Sequence, residues 1–290
     1  MTPRIFADAG DDGIRFILPR PISVPKKDPS GGYTKGGLIR EPDQGHLITF
    51  AGRGGTGKSV LALQFLTELL RQSEKKKKTP AAFYFTLEAS PLELVLQLQE
   101  FRFGQLYFFP ELEKDEPGTH PDKLGNRTSL GGAKGTKKDK PGTDPDKTNS
   151  DNPNADDLFW EHEKGLYIHA IPSPIDDLTT LIRQVRQTIA ERLSKQGFND
   201  LVGIVIDPLG GVRDRDTLRT DLSGLKHLAD SHKTFLFLLA EDHIYEQHRS
   251  IEHYSQTVLQ LQYYPYKQPS RWIFVQKARS QPFRVGNHQL

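Results

Sequence analysis

Short apolar runs alternate with longer stretches of helical spacing through most of the chain. Leu47-Ile48-Thr49-Phe50-Ala51 is apolar and partly β-branched, the pattern of a buried strand. Val60, Leu61, Leu63, Phe65, Leu66, Leu69 and Leu70 then recur at the spacing of one helix face. Ala82 to Leu87 predicts a second strand. Pro91 to Phe101 predicts a helix, with Ser90 as N-cap, Pro91 at its first position, Glu93 in its first turn, and Leu94, Leu98 and Phe101 on one face. Further on, Gly165 to Ile171 reads as a strand. Leu178, Leu181, Ile182, Val185, Ile189 and Leu193 form a helix face opened by Asp176 and Asp177. Leu201 to Asp207 is a buried strand that ends in a carboxylate. A helix is expected from about Asp216 to Ser231, then a buried strand from Thr234 to Ala240, ending at Glu241-Asp242. Val258 to Gln262 and Trp272 to Gln276 read as a closing antiparallel pair. Continuously apolar strands alternating with helices predict an α/β fold, with a mostly parallel sheet and helices on both faces.

Two segments break this pattern. Residues 1–40 form an N-terminal lead rich in Pro and Gly, with one candidate strand at Ile14 to Leu18. Residues 41–290 carry the alternation, interrupted at 111–156. Only five of those 46 residues are apolar and none is aromatic, so the stretch cannot bury enough surface to offset its ordering entropy. It is expected to be a disordered insertion. Its near-repeat, Gly118 to Lys123 and Gly142 to Lys147, is explained by tract duplication.

Composition narrows the class. The chain has 290 residues and no cysteine, which excludes disulfides and thiolate metal sites. Met1 to Gly13 has acidic residues and no apolar segment, unlike a signal peptide. The longest apolar run, Phe235 to Ala240, is too short to span a bilayer. A cytoplasmic protein that does not enter membranes is expected. With 39 basic against 37 acidic residues, nothing suggests a general nucleic-acid coat. The Lys75–Lys78 run reads as a solvated helix end.

Between the first strand and the first helix stand Gly52, Arg53, Gly54, Gly55, Thr56, Gly57, Lys58 and Ser59, a complete G-x-x-x-x-G-K-[ST] loop, followed by Val60. Strand, glycine loop, helix is the context that motif needs. The glycines let backbone N–H groups wrap a phosphate chain at a helix N-terminus. Lys58 would neutralise the β- and γ-phosphates, and Ser59 would set its hydroxyl on Mg²⁺. The ligand class is therefore Mg·ATP. Asp207, at the end of an apolar strand, has the Walker B pattern and is the second candidate Mg²⁺ residue. Glu88 follows the second strand, where open α/β sheets bind ligands. It reads either as the carboxylate that orients and deprotonates water or as a helix-start residue near Ser90.

Together these stretches resemble the RecA-like P-loop NTPases, and within them the KaiC branch. The resemblance rests on Gly36-Gly37-Leu38-Ile39-Arg40, Ala51 to Gln64, Phe83 to Pro91, Ile204 to Leu209, Ile251 to Leu261 and Arg271 to Arg279. It covers roughly 36–110 and 160–290, and it implies an oligomeric ATPase, a ring or a filament. Glu88 aligns with the first of a glutamate pair in that family and so resembles its water-activating residue; the second is Ala89 here. Lys277 and Arg279, otherwise a pair of exposed strand-end charges, align with basic residues that reach the neighbouring subunit's nucleotide. The implied activity is Mg-dependent ATP hydrolysis driving an assembly or conformational switch.

Two loops bear on the partner: Gly210 to Thr220, with Arg213, Arg215 and Arg219, and Asp242 to Ser250, with His243, His248 and Arg249. In recombinases and ring helicases loops at these places contact single-stranded DNA. Here both are short and charge-balanced, and Tyr245 is their one stacking candidate. His243, His248 and His253 share no helix or strand face, so no zinc site is read there. A DNA-dependent motor and a non-hydrolysing nucleotide-gated scaffold are the alternative readings.

Overall fold

The computed structural model describes residues 45–75, 78–101, 107–109, 158–172, 175–214, 218–247, 250–265, 270–279 and 287–289. The lead, its candidate strand and the insertion lie outside the described residues.

The elements run β1 (His46–Gly52), α1 (Lys58–Lys75), β2 (Pro80–Thr86), α2 (Pro91–Glu100), β3 (Phe159–Glu161), β4 (Leu166–Ala170) and β5 (Ile175–Asp177). Then come α3 (Leu178–Gln196), β6 (Asp200–Asp207), a 3₁₀ turn at Leu209–Gly211, β7 (Val212–Asp214), α4 (Leu218–His232) and β8 (Phe235–Ala240). Two short helices, α5 (Asp242–Gln247) and α6 (Ser250–Tyr254), precede β9 (Thr257–Tyr264), β10 (Ser270–Ala278) and β11 (Asn287–Gln289).

Nine strands form one sheet in the order β11-β10-β9-β1-β8-β6-β2-β4-β3. Its centre is parallel: β1 pairs with β8 and β9, β6 with β8 and β2, and β2 with β4. The expected α/β fold is the one observed, including the closing antiparallel pair of β9 and β10. Both edges add short antiparallel strands, β3 and β11, that the periodicity did not announce.

The sheet separates two apolar cores, which is why its central strands are apolar on both sides. On one face Leu178, Leu181 and Val185 of α3 and Leu222, Leu225 and Leu228 of α4 cover the sheet. On the other, Leu63, Leu66 and Leu70 of α1 and Leu94 and Leu98 of α2 do so. α1 lies close because β6 carries Gly203: a Cβ there would stand 2.4 Å from Leu66 Cδ2.

Two loop expectations are corrected. The first part of Gly210 to Thr220 is the 3₁₀ turn and β7, which pairs with β5 in a small two-stranded sheet. Most of Asp242 to Ser250 is helical, and it turns Ile244 and Tyr245 into the core, Tyr245 being 8% exposed. Tyr245 is thus no surface platform for a base.

Candidate functional site

β1 ends at Gly52 and α1 begins at Lys58, so the loop between them caps an 18-residue helix with its N–H groups outward. Gly55 and Gly57 have φ of 74° and 96°, which side chains rarely adopt. A Cβ on Gly54 or Gly55 would meet nothing within 4 Å, so the loop borders open space at these two positions. A Cβ on Gly52 would stand 2.6 Å from the Leu261 carbonyl oxygen, so the loop's start is pressed on β9. Thr56 Oγ1 donates to the Arg53 carbonyl at 2.9 Å and braces the turn.

Lys58 is buried, and its Nζ donates to the Gly52 and Arg53 carbonyls at 2.7 and 2.9 Å. The side chain lies along the loop, because the buried ammonium needs acceptors. Burial pushes its pKa down, and Asp207, Glu241, Asp242 and Glu88 pull it up.

Asp207 ends β6, which is separated by one strand from the strand that feeds the loop. Its carboxylate accepts hydrogen bonds from the Ser59 and Tyr84 hydroxyls. Burial raises its pKa, while those two hydroxyls and Lys58 hold it down. The structure thus joins both candidate Mg²⁺ residues, Ser59 and Asp207, at the N-terminus of α1. A hydroxyl and a carboxylate beside an open phosphate cradle suit Mg²⁺, which takes few protein ligands and fills its octahedron with phosphate and water oxygens.

Glu88 stands two residues beyond β2, in a turn fixed on both sides. Leu87 N donates to the Asp207 carbonyl at 2.7 Å, and Thr86 Oγ1 bridges Ala89 N and O at 3.0 and 2.8 Å. Ser90 caps α2 in a reciprocal box with Glu93. Glu93, not Glu88, is therefore the residue spent on the helix start. Glu88 is exposed beside the loop, and burial, Glu241 and Asp207 raise its pKa against Lys58.

Two residues outside the expected set belong here. Glu241 and Asp242 follow β8, the strand between β1 and β6, and both act on Lys58. Asp242 Oδ2 lies 3.8 Å from Arg53 Nε, and its Oδ1 has no partner. The signal was in the sequence: β8 ends in acids at the same end of the sheet as β6.

Lys277 and Arg279 are not brought to this site. β10 runs against β9, so its C-terminal end pairs with the start of β9, at the opposite end of the sheet from the loop. Lys277 Nζ donates to the Glu252 carbonyl, and Arg279 Nη2 to the His253 carbonyl at 3.0 Å. Both satisfy last-turn carbonyls of α6.

No family model matches the chain. No curated protein matches it either. Among solved structures, a KaiC-like protein from the hyperthermophilic archaeon Pyrococcus horikoshii OT3 is similar over 85% of this chain and 85% of that chain. The identity is 13% and the TM-score 0.48. At that distance it assigns no residue a role. No helix among the described residues is long and apolar enough to cross a membrane.

Proposed function

We propose that this chain is a RecA-like ATPase that binds Mg·ATP on the 52–59 loop and hydrolyses it. The observation that carries the reading is the joining of Ser59 to Asp207 beside Lys58, at the mouth of an open glycine cradle. The loop N–H groups and Lys58 bind the phosphates. Ser59 and Asp207 would hold Mg²⁺, which would supply charge neutralisation to the phosphates. Glu88 orients a water and takes its proton as the water oxygen bonds to the γ-phosphorus and the bond to the β–γ bridging oxygen breaks. Its raised pKa makes it a better base than an ordinary glutamate.

Lys277 and Arg279 stand too far round the sheet to serve their own chain's nucleotide. Their role belongs to a neighbouring subunit's γ-phosphate, as the family resemblance implies, in a ring or filament with nucleotide at its interfaces. ATP turnover there drives an assembly or conformational switch.

The decisive variant is Glu88→Gln, which keeps shape and removes the base. Turnover should fall roughly 10²-fold or more while ATP affinity persists, the scale of losing a positioned base. Unchanged turnover would remove Glu88 from the chemistry. Tight ATP binding with no turnover in the native chain would select the nucleotide-gated scaffold instead. Stimulation by single-stranded DNA with steep salt dependence would select the DNA-dependent motor.

A further inference from the structure

The acidic groups that act on Lys58 all lie to one side of β1. Glu88, Asp207 and Glu241 follow β2, β6 and β8, which succeed one another from β1 in that direction. The reactive end of a phosphate chain belongs on that side. The rest of the ligand must then extend the other way, over β9 and β10.

A feature without a structural purpose waits there. On the α1 face, β9 and β10 present an apolar ladder, Leu259 opposite Val275 and Leu261 opposite Ile273, buried in the core. The next rung is Tyr263 opposite Arg271. Tyr263 is 45% exposed, an uneconomical place for a large ring. Arg271 lies against the phosphate loop: its Cδ and Nε are each 3.9 Å from where a Cβ on Gly57 would stand. Its guanidinium carbon is 5.9 Å from the Tyr263 ring centre, within cation–π range. Arg271 Nε is buried and has no hydrogen-bond partner. A buried donor without an acceptor is costly, and a ligand oxygen beside Gly57 would satisfy it. Tyr264 alternates to the other face and donates to Gln262 Oε1 at 2.6 Å, so it plays no part.

We propose that Tyr263, backed by Arg271, is the shelf on which the base of a bound nucleoside triphosphate stacks. This rests on the phosphate-loop reading and extends it to base selection. A ring face has no hydrogen-bonding edge, so the shelf reads size and polarisability and not base identity. ATP and GTP should bind alike, both tighter than CTP or UTP, and all tighter than inorganic tripolyphosphate.

The test is calorimetric affinity of the full chain for ATP, GTP, CTP, UTP and tripolyphosphate with Mg²⁺, in the native protein, Tyr263→Ala and Tyr263→Phe. Tyr263→Ala should weaken ATP and GTP by about five- to a hundredfold, the stacking range, and leave tripolyphosphate unchanged. Tyr263→Phe should retain native affinity. The fluorescence of 1,N⁶-etheno-ATP should be quenched on binding the native chain and not Tyr263→Ala. Equal losses for ATP and tripolyphosphate would overturn the shelf, as would an unchanged ratio between them. A strong preference for ATP over GTP would overturn it too, by showing an edge-reading pocket. If the native chain binds neither ATP nor tripolyphosphate, the phosphate-loop reading fails and the shelf with it. The exposed site makes a folding failure unexpected, and a thermal melt of each variant checks this.

Discussion

Lys58 is held before any phosphate arrives, by the carbonyls of Gly52 and Arg53. Ligand capture is an exchange of those two acceptors for phosphate oxygens, which carry charge and so win. Lys58→Ala should weaken ATP binding roughly a hundredfold, about the worth of one or two charge-assisted hydrogen bonds, with an unchanged circular-dichroism spectrum. Native ATP affinity in that variant would refute the site. On the proposed reading, Glu88 sets the acid limb of the rate profile. Its pKa is raised, and the base works only when ionised, so turnover should fall with falling pH at a point above the ordinary glutamate value. That limb should vanish in Glu88→Gln, whatever its residual rate. Away from the site, burial and Lys226 push the pKa of His46 down to about 4 from 6.5. Between these values the unfolded chain binds a proton that the folded chain refuses. Stability should therefore drop as pH falls from 6.5 to about 4, by about 3 kcal/mol at the low end. Urea melts at stepped pH should show that slope flattened in His46→Gln. Lys58, Ser59 and Asp207, which the structure brings together, could be singled out in the sequence because their motif is contiguous or ends an apolar strand. Tyr263 could not, since its place depends on which strands lie beside β1.

Among the elements, those with a full period were legible and those without one were not. α3 shows its apolar face over 19 residues, whereas β3, β5, β7 and β11 have three residues each, too few for alternation to register. α5 read as a polar loop, and α6 was not read as a helix, because one turn or two of helix displays hardly any face. Only their tertiary partners reveal that Ile244, Tyr245 and Ile251 are buried. The insertion lies outside the described residues, but the structure describes its surroundings. His162 Nε2 lies 3.1 Å from the Phe108 carbonyl, and Lys164 Nζ donates to the Tyr107 carbonyl, so the chain on either side is already joined. Deleting 115–154 should change unfolding free energy by less than about 1 kcal/mol, since loop-closure entropy varies slowly with length. Limited trypsin digestion of the full chain should cut there first. A larger loss of stability, or a protected segment, would mean that it docks on the sheet. Gly203→Ala should cost about 1–3 kcal/mol by overpacking, because the added methyl meets Leu66 where α1 approaches β6.

The two groups of candidate residues lie at opposite ends of the sheet. The loop, Glu88 and Asp207 stand at one end of the sheet and Lys277 and Arg279 at the other. If a neighbour's basic pair completes the site, specific activity should rise with protein concentration. Mixing Lys58→Ala protein with Lys277→Ala/Arg279→Ala protein should then restore part of the activity, since each supplies what the other lacks. Activity independent of concentration, with no rescue, would leave the pair as caps on α6. The strand order also bears on how the chain is made. β1 is synthesised first among the described strands, yet its two partners, β8 and β9, lie at residues 235–240 and 257–264. A growing chain released up to His232 already carries the loop, Glu88 and Asp207, but its central strand has no neighbour. Such a fragment should be unfolded and unable to bind ATP. On the ribosome, the loop, Glu88 and Asp207 are translated before the strands that flank β1 and take shape only after them, a long wait with apolar strands uncovered.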